Sequence, residues 1–401
     1  MRLWEEIEIA QNKIQKAIRR TPMIFSEIFS TLTGQEVFLK LENLQKTGSF
    51  KIRGAYYKLF QLSPSAKKKG VVAASAGNHA QGVALASSLL GIHSTIVMPE
   101  GSSLAKQMAT RSYGGEIILY GKDTDESLHY AKELAQDGRS LIHPFDDEQV
   151  IAGQGTIGLE ILEEVPYVET IIVPVGGGGL ISGIASIVKK RRPKVKIIGV
   201  QSAHVASAFI SMKRNEIVGV KAKPTLADGI AIRRVGEITF PLMQKSVDEI
   251  VTVEEDAIAS AILLLMERKR VVAEGAGAAP LAALLSKRCK LDSKKVVLVI
   301  SGGNIDVHLI DRIIEKGLAK TGRIVRLGVL LRDIPGSLSK LSILISQSHA
   351  NVLHIVHERT AKDIPIGFSK VILVLETRGP DHVREIKKEL RENGYFFQML
   401  S

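Results

Sequence analysis

From residue 70 to residue 300 the chain repeats one unit: a short run rich in valine and isoleucine, a turn that often carries glycine, and a helix-length stretch. The runs fall at 70–74, 94–98, 116–120, 140–142, 170–175, 196–200, 249–253 and 296–300, and a further one at 36–41 precedes the repeat. Many are apolar at nearly every position rather than at alternate ones, as strands covered by helices on both faces must be. Helices are expected at 4–19, 78–90, 104–113, 124–136 and 180–189. Alternation with short connections builds right-handed βαβ units on parallel sheets, so the fold class is α/β. After residue 320 the order changes. Segments 323–332, 351–360, 369–377 and 395–400 read as strands, and 336–350 and 380–393 as helices. That βαββαβ order within about 80 residues is the ferredoxin-like module, joined through residues 317–322. The expected domains are 1–320, with a smaller subdomain at about 45–150, and 321–401.

Composition removes several classes. A chain of 401 residues, 45% hydrophobic and 24% charged, can bury a large core. No apolar run approaches membrane-spanning length, and the acidic, amphipathic N-terminus lacks the basic and apolar regions of a secretion signal. Cys289 is the single cysteine, so an internal disulfide, a zinc cluster and a CxxC pair are all excluded. A cytoplasmic protein is expected. The net charge of +12 raises the question of nucleic acid. The basic residues, however, are scattered among glutamates, and Lys67-Lys-Lys69 and Lys189-Lys-Arg-Arg192 read as solvated turns before strands. They lack the aromatic interleaving of a nucleic-acid surface.

Four turns carry chemistry. The stretch Gly48-Ser-Phe-Lys-Ile-Arg-Gly54 leaves the 36–41 strand and opens a helix near Ser49, placing Lys51 in its first turn. There the helix dipole disfavours the ammonium form and should lower its pKa, which suits an amine that forms a Schiff base; a solvated basic helix start is the plain alternative. Gly176 to Gly179 lie between the strand ending at Val175 and a helix starting at Leu180, where amides and dipole can hold a phosphate. Ile181 and Ser182 stand where a dinucleotide fingerprint needs glycine, and the chain contains no Gly-x-x-x-x-Gly-Lys-Ser/Thr. Ser75-Ala-Gly-Asn-His79 and Ser301-Gly-Gly-Asn304 follow further strands. Ser75 and Asn78 are candidates to hold a carboxylate at a helix start, or else simple caps, and His79 can be a core histidine. Ligands of open α/β sheets collect at these strand ends. A lysine, a phosphate cradle and small polar groups together suggest pyridoxal phosphate.

The segments Gly48–Gly54, Ser75-Ala-Gly-Asn-His-Ala-Gln-Gly82, Ala152-Gly-Gln-Gly-Thr156, Gly176–Gly179, Thr225-Leu-Ala-Asp-Gly-Ile230 and Ser301–Asn304 resemble, in order, the threonine/serine dehydratase family of fold-type II pyridoxal-phosphate enzymes. The likeness runs from about residue 5 to 320. Leu331-Arg-Asp-Ile-Pro-Gly-Ser-Leu338 and Ala350-Asn-Val-Leu353 resemble an ACT domain. The resemblance implies two doubly wound open twisted sheets, like those of the tryptophan synthase β chain, plus the C-terminal module. It implies that Lys51 anchors the cofactor and moves the proton. Phe50 would pack on the ring, Asn78 bind its 3-hydroxyl, Gly176, Gly177, Gly178, Gly179 and Leu180 its phosphate, and Ser301 its ring nitrogen. Ser75, Ala76, Gly77, Asn78 and His79 would take the substrate carboxylate.

A neutral hydroxyl at Ser301 leaves the pyridine unprotonated, a weaker electron sink that favours loss of a β-hydroxyl over transamination. The implied reaction converts L-threonine to 2-oxobutanoate and ammonia, and L-serine to pyruvate. Asp333, Ile334, Pro335, Gly336, Ser337 and Leu338 would bind an effector such as isoleucine or valine, in a homodimer or homotetramer. Ala76 stands where serine racemases carry a catalytic serine. Gln201, Val205 and Ser207 replace their acidic metal ligands, so no magnesium site is expected; a monovalent cation near Glu274 to Ala278 stays open. So do β-replacement, threonine synthase chemistry, an inert amino-acid-binding protein, and a tail that only assembles subunits.

Overall fold

A computed structural model describes residues 2–289 and 291–400. The chain divides into two compact units, one ending at Asp306 and one beginning at Val307. The first holds two sheets. Its larger sheet contains β1 (Met23–Phe25), β2 (Glu36–Leu41), β7 (Thr170–Pro174), β8 (Lys196–Ser202), β9 (Glu249–Val253) and β10 (Lys295–Ile300), in the order β1-β2-β10-β7-β8-β9. All neighbours pair in parallel except β1, an antiparallel edge strand. The smaller sheet is parallel throughout, with β3 (Val71–Ala74), β4 (Ser94–Met98), β5 (Glu116–Leu119) and β6 (Ser140–Leu141) in the order β5-β4-β3-β6.

This topology dictates where a ligand can sit. From β7 the chain winds outward through β8 and β9, then returns to place β10 on the other side of β7. The turns after β7 and β10 therefore diverge, leaving a crevice beyond the carboxyl ends of the strands. Gly176–Gly179 and Ser301 are those turns. The strand β3 delivers Ser75 from the second sheet, and β2 leads to Lys51.

Between the sheets three helices, Lys51–Gln61, Glu148–Glu164 and Gly179–Arg191, cross in close contact. Glycine makes the crossings possible: a Cβ on Gly153 would meet the Arg53 carbonyl oxygen at 2.6 Å, and one on Gly183 would meet the Ile151 carbonyl oxygen at 2.4 Å. The glycines of the Ala152–Thr156 motif thus serve helix packing. The crossing also buries four charges. Arg53 donates to both oxygens of Glu42 at 2.8 Å and to both of Glu160 at 2.6 and 3.0 Å. Lys40 adds a 2.7 Å contact to Glu160, and all four side chains are essentially inaccessible to solvent.

Local chemistry explains several boundaries. Helix Asn78–Leu90 ends at Gly91, whose φ of 65° is the left-handed cap that glycine adopts without strain. The lysines at 67–69 close a short helix, Pro64–Lys69, capped by Ser63 and preceding β3. They are the last turn of a helix rather than a loop, where cations suit the dipole.

The second unit contains an antiparallel sheet of β11 (Ile324–Arg332), β12 (Asn351–Glu358), β13 (Phe368–Glu376) and β14 (Phe396–Leu400), in the order β12-β13-β11-β14. Helices Ser337–Gln347 and Pro380–Glu392 complete the βαββαβ order. Its core includes Leu327, Val329, Leu341, Leu373, Leu375 and Leu390. Helix Val307–Lys320 belongs to this unit. Among the described residues no helix is long and apolar enough to cross a membrane.

Candidate active site

A cavity of about 770 Å³ opens where the two sheets of the first unit face each other. Phe50, Lys51, Ser75 to His79, Gly176 to Leu180 and Ser301 all line it. The turn before Lys51 is strapped to the turn after β10. Phe50 N–H donates to Ser301 O at 3.1 Å, Gly303 N–H to Gly48 O at 2.9 Å, and Ser49 bridges Gly302. Lys51 is the first residue of its helix, and its Nζ donates to the Pro144 carbonyl at 2.8 Å. Its pKa is lowered to about 8. Burial, which penalises the ammonium form, is the largest cause, with Glu274 opposing it. Desolvation thus acts in the direction that the sequence assigns to the helix dipole.

Two helix starts in the cavity have no side-chain cap. Helix Gly179–Arg191 begins after Gly178, at φ 101°, and its first bond from the cap runs from Ser182 N–H to Gly178 O. The amides of Gly179, Leu180 and Ile181 precede any intrahelical partner. The loop carbonyl at Gly177 is turned away, accepting from Thr239 Oγ1 at 2.6 Å and Gly236 N–H at 3.3 Å. Helix Asn78–Leu90 likewise starts after Gly77 with no side-chain cap. Ser75 Oγ accepts from Gly77 N–H at 3.2 Å, so this serine shapes the turn.

Gly177 has a further reason to be glycine: a Cβ there would meet the Phe145 ring at 2.3 Å. Gly177→Ala is expected to displace Phe145 or the loop and to weaken anion binding, with a stability loss of about 1–3 kcal/mol for the overpacking. Thermal melting with and without phosphate checks it; an unchanged Tm would rule the clash out.

His79 is a core histidine. Its Nε2 lies 2.8 Å from the Ile142 carbonyl, so that nitrogen carries the proton. Burial first, then Lys51, pushes its pKa down to about 3. The ring is neutral, and only the backbone N–H of His79 can serve a carboxylate. His143 is also held neutral, chiefly by burial, and its Nδ1 accepts from Asp146 N–H at 2.8 Å.

Asn304 enters the site without a role read from the sequence, and Glu274, beside which the sequence leaves open only a monovalent cation, enters it as a partner of Asn78. Glu274 is 4% exposed and receives Asn78 Nδ2 at 2.8 and 2.9 Å on its two oxygens. Asn304 Nδ2 donates to Asn78 Oδ1 at 2.8 Å. A lone acid ahead of the small-residue helix Gly275–Leu285 was the signal, and nothing local distinguished it from a helix-start charge. Across the mouth, Lys106 pairs with Asp228 at 2.9 Å, and Arg233 lies 3.2 and 3.1 Å from Asp123 and Asp125.

Residues 14–302 match the family described as pyridoxal-phosphate dependent enzyme. The chain is 52% identical over 392 residues to the L-threonine ammonia-lyase of Thermotoga maritima and 48% identical over 395 to that of Geobacter sulfurreducens, with 98% of each chain covered in both cases. A catabolic L-threonine dehydratase of Staphylococcus aureus is 49% identical over 318 residues, 78% of this chain and 92% of its own. Among solved structures, processed threonine deaminase isoform 2 of Solanum lycopersicum superposes with a TM-score of 0.74 at 38% identity, covering 78% of this chain and 87% of its own. Maize serine racemase also gives 0.74, at 35% identity, covering 79% and 98%.

Proposed function

Since this chain belongs to the pyridoxal-phosphate dependent enzyme family, we propose that its cavity holds that cofactor and deaminates L-threonine to 2-oxobutanoate and ammonia, and L-serine to pyruvate. One observation carries the reading: a buried lysine with its pKa lowered to about 8 shares a cavity with two uncapped helix starts. The residues fit the group. An aldehyde requires the neutral amine, a phosphate the glycine-loop amides and a ring nitrogen the Ser301 hydroxyl. Pyridoxal phosphate bound there supplies the electron sink that makes the Cα–H of an attached amino acid acidic.

The chain's own residues do the rest. Phe50 supports one face of the cofactor, and Asn78 donates to its 3-hydroxyl. Gly176 to Leu180 hold the phosphate. The amides of the Ser75 to His79 turn hold the substrate carboxylate, which orients Cα–H towards Lys51 Nζ. Lysine at about 8 is partly neutral near physiological pH and accepts that proton. Ser301, a neutral hydroxyl, would leave the ring nitrogen uncharged and so favour loss of the β-hydroxyl, and the proton that Lys51 has taken from Cα is available to release that hydroxyl as water. Oxoacid formation from L-threonine, L-serine and their D-isomers tests this. Production from L-threonine is the expected result, and its absence from holoprotein would overturn the reading.

The second unit is the ACT-like regulatory domain in this reading. Asp333 to Gly336 form the turn between β11 and helix Ser337–Gln347, of which Ser337 and Leu338 are the first residues and whose start at Gly336 has a φ of 88° and no side-chain cap. The amides of Gly336 and Leu338 offer an effector carboxylate a site, those of Asp333, Ile334 and Ser337 being taken by backbone carbonyls, and isoleucine or valine would shift paired subunits only by binding their two states unequally. A homodimer or homotetramer in the cytoplasm is the matching assembly. The idea fails if both amino acids leave the threonine saturation curve and hydrogen exchange of residues 333–338 unchanged.

A further inference from the structure

We propose that Glu274 is a positioning residue of this site, fixing the direction in which the Asn78 amide faces and supplying the negative charge opposite Lys51. The inference rests on the reading that Asn78 touches the cofactor. An asparagine amide can turn over at little steric cost, so its partners decide which end is the donor. The Thr47 carbonyl can only accept, and Asn304 Nδ2 donates to it at 2.8 Å. The same nitrogen donates to Asn78 Oδ1, with a longer 3.3 Å contact to Gln81 Oε1. Asn78 must then present Nδ2 on its other side, where both Glu274 oxygens receive it. A carboxylate accepts at either oxygen. Turning the amide over would set Oδ1 against that carboxylate, and so the donor end stays where a ring oxygen can use it.

The seat of the carboxylate is built. Glu274 N–H donates to Gly302 O at 3.1 Å, and a Cβ on Gly302 would stand 2.5 Å from Glu274 Oε1. The charged groups facing it are Asp228, Lys106 and Lys51. Burial foremost, then Asp228, raises the Glu274 pKa to about 7, against the pull of Asn78, Lys106 and Lys51. Lys51, at about 8, faces Glu274 together with the neutral rings of His79 and His143. Between those two values the glutamate is largely an anion and the lysine largely a cation. Removing the anion lowers the lysine further.

Absorbance titration of the full-length apoprotein with pyridoxal phosphate, repeated from neutral to alkaline pH, reads both effects. Glu274→Gln places an amide N–H against Asn78 Nδ2 and is expected to weaken binding about tenfold, the scale of a charge-assisted hydrogen bond. It also moves the pH midpoint of binding downward. Asn304→Asp, which sets a carboxylate against Asn78 Oδ1 and turns the amide over, is expected to weaken binding similarly and covers the case of a Glu274 variant that does not fold. Asn78→Ala separates the two readings. If it leaves affinity unchanged, Asn78 does not touch the cofactor and the inference falls with that reading. If it weakens binding while Glu274→Gln and Asn304→Asp keep the parental affinity and midpoint, the positioning role alone is overturned.

Discussion

Lys51→Ala is expected to abolish the visible absorbance of bound pyridoxal and to lower threonine turnover on the order of a thousandfold or more, because one residue serves as both covalent anchor and proton acceptor. The same variant should fold. An amine held at about 8 instead of the ordinary 10.5 destabilises the folded apoprotein when charged. The sign follows from proton uptake: between those values the unfolded chain binds more protons at this lysine, so its contribution to stability rises with pH. Alanine removes the penalty, and the variant apoprotein should melt no lower than the parent at neutral pH. Capture of pyridoxal phosphate by parental apoprotein should rise with pH and level off above about 8. A lysine-free variant with full turnover, or parental capture independent of pH across that value, would sink the assignment.

The largest stability effect is expected at Arg53. Its guanidinium is fully buried, and burial alone would lower its pKa. Glu42 and Glu160 more than offset that and hold it firmly protonated. Arg53→Met leaves Glu42 without a cationic partner at its oxygens, and Glu160 with Lys40 alone. Breaking such a pair costs about 3–5 kcal/mol, because the carboxylates stay buried without full compensation. Urea unfolding followed by circular dichroism measures it, and a loss below about 1 kcal/mol would show that the cluster relaxes or takes in water. Glu160 adds a pH signature. Despite burial, Arg53 and Lys40 hold its carboxyl below the ordinary value. Its stabilising contribution is therefore present above the unfolded carboxylate range and is lost as pH falls through the folded value. Arg53 lies two residues beyond Lys51 on the same helix, so the variant should also loosen cofactor binding.

Much of the fold was legible because parallel strands covered on both faces are written as contiguous Val and Ile runs. The expected strands at 36–41, 94–98 and 249–253 coincide with β2, β4 and β9. Helix 78–90 was equally clear, with a glycine at its end. The expected N-terminal helix of 4–19 runs from Leu3 to Ile14, since apolar spacing continues into the turn that follows. The three-residue β1 is too short to show a period. Helix Pro64–Lys69 is not distinguishable from a turn in the sequence because its lysines look the same in either setting.

The class of fold, the order of its parts and the turns that meet at the cavity are written locally in the chain, since periodicity, glycine and helix starts are local properties. The sequence brought Lys51, Asn78, the glycine loop and Ser301 together only through the strand-end rule and a family resemblance. Tertiary structure decided the states of those groups. Burial is the foremost cause that lowers Lys51 to about 8; burial and Lys51 keep His79 neutral, while the Ile142 carbonyl fixes which ring nitrogen carries its proton; and Glu274, far along the chain from Asn78, sets how that amide faces. Desolvation and hydrogen-bond direction depend on atoms brought from distant segments. No local pattern carries them.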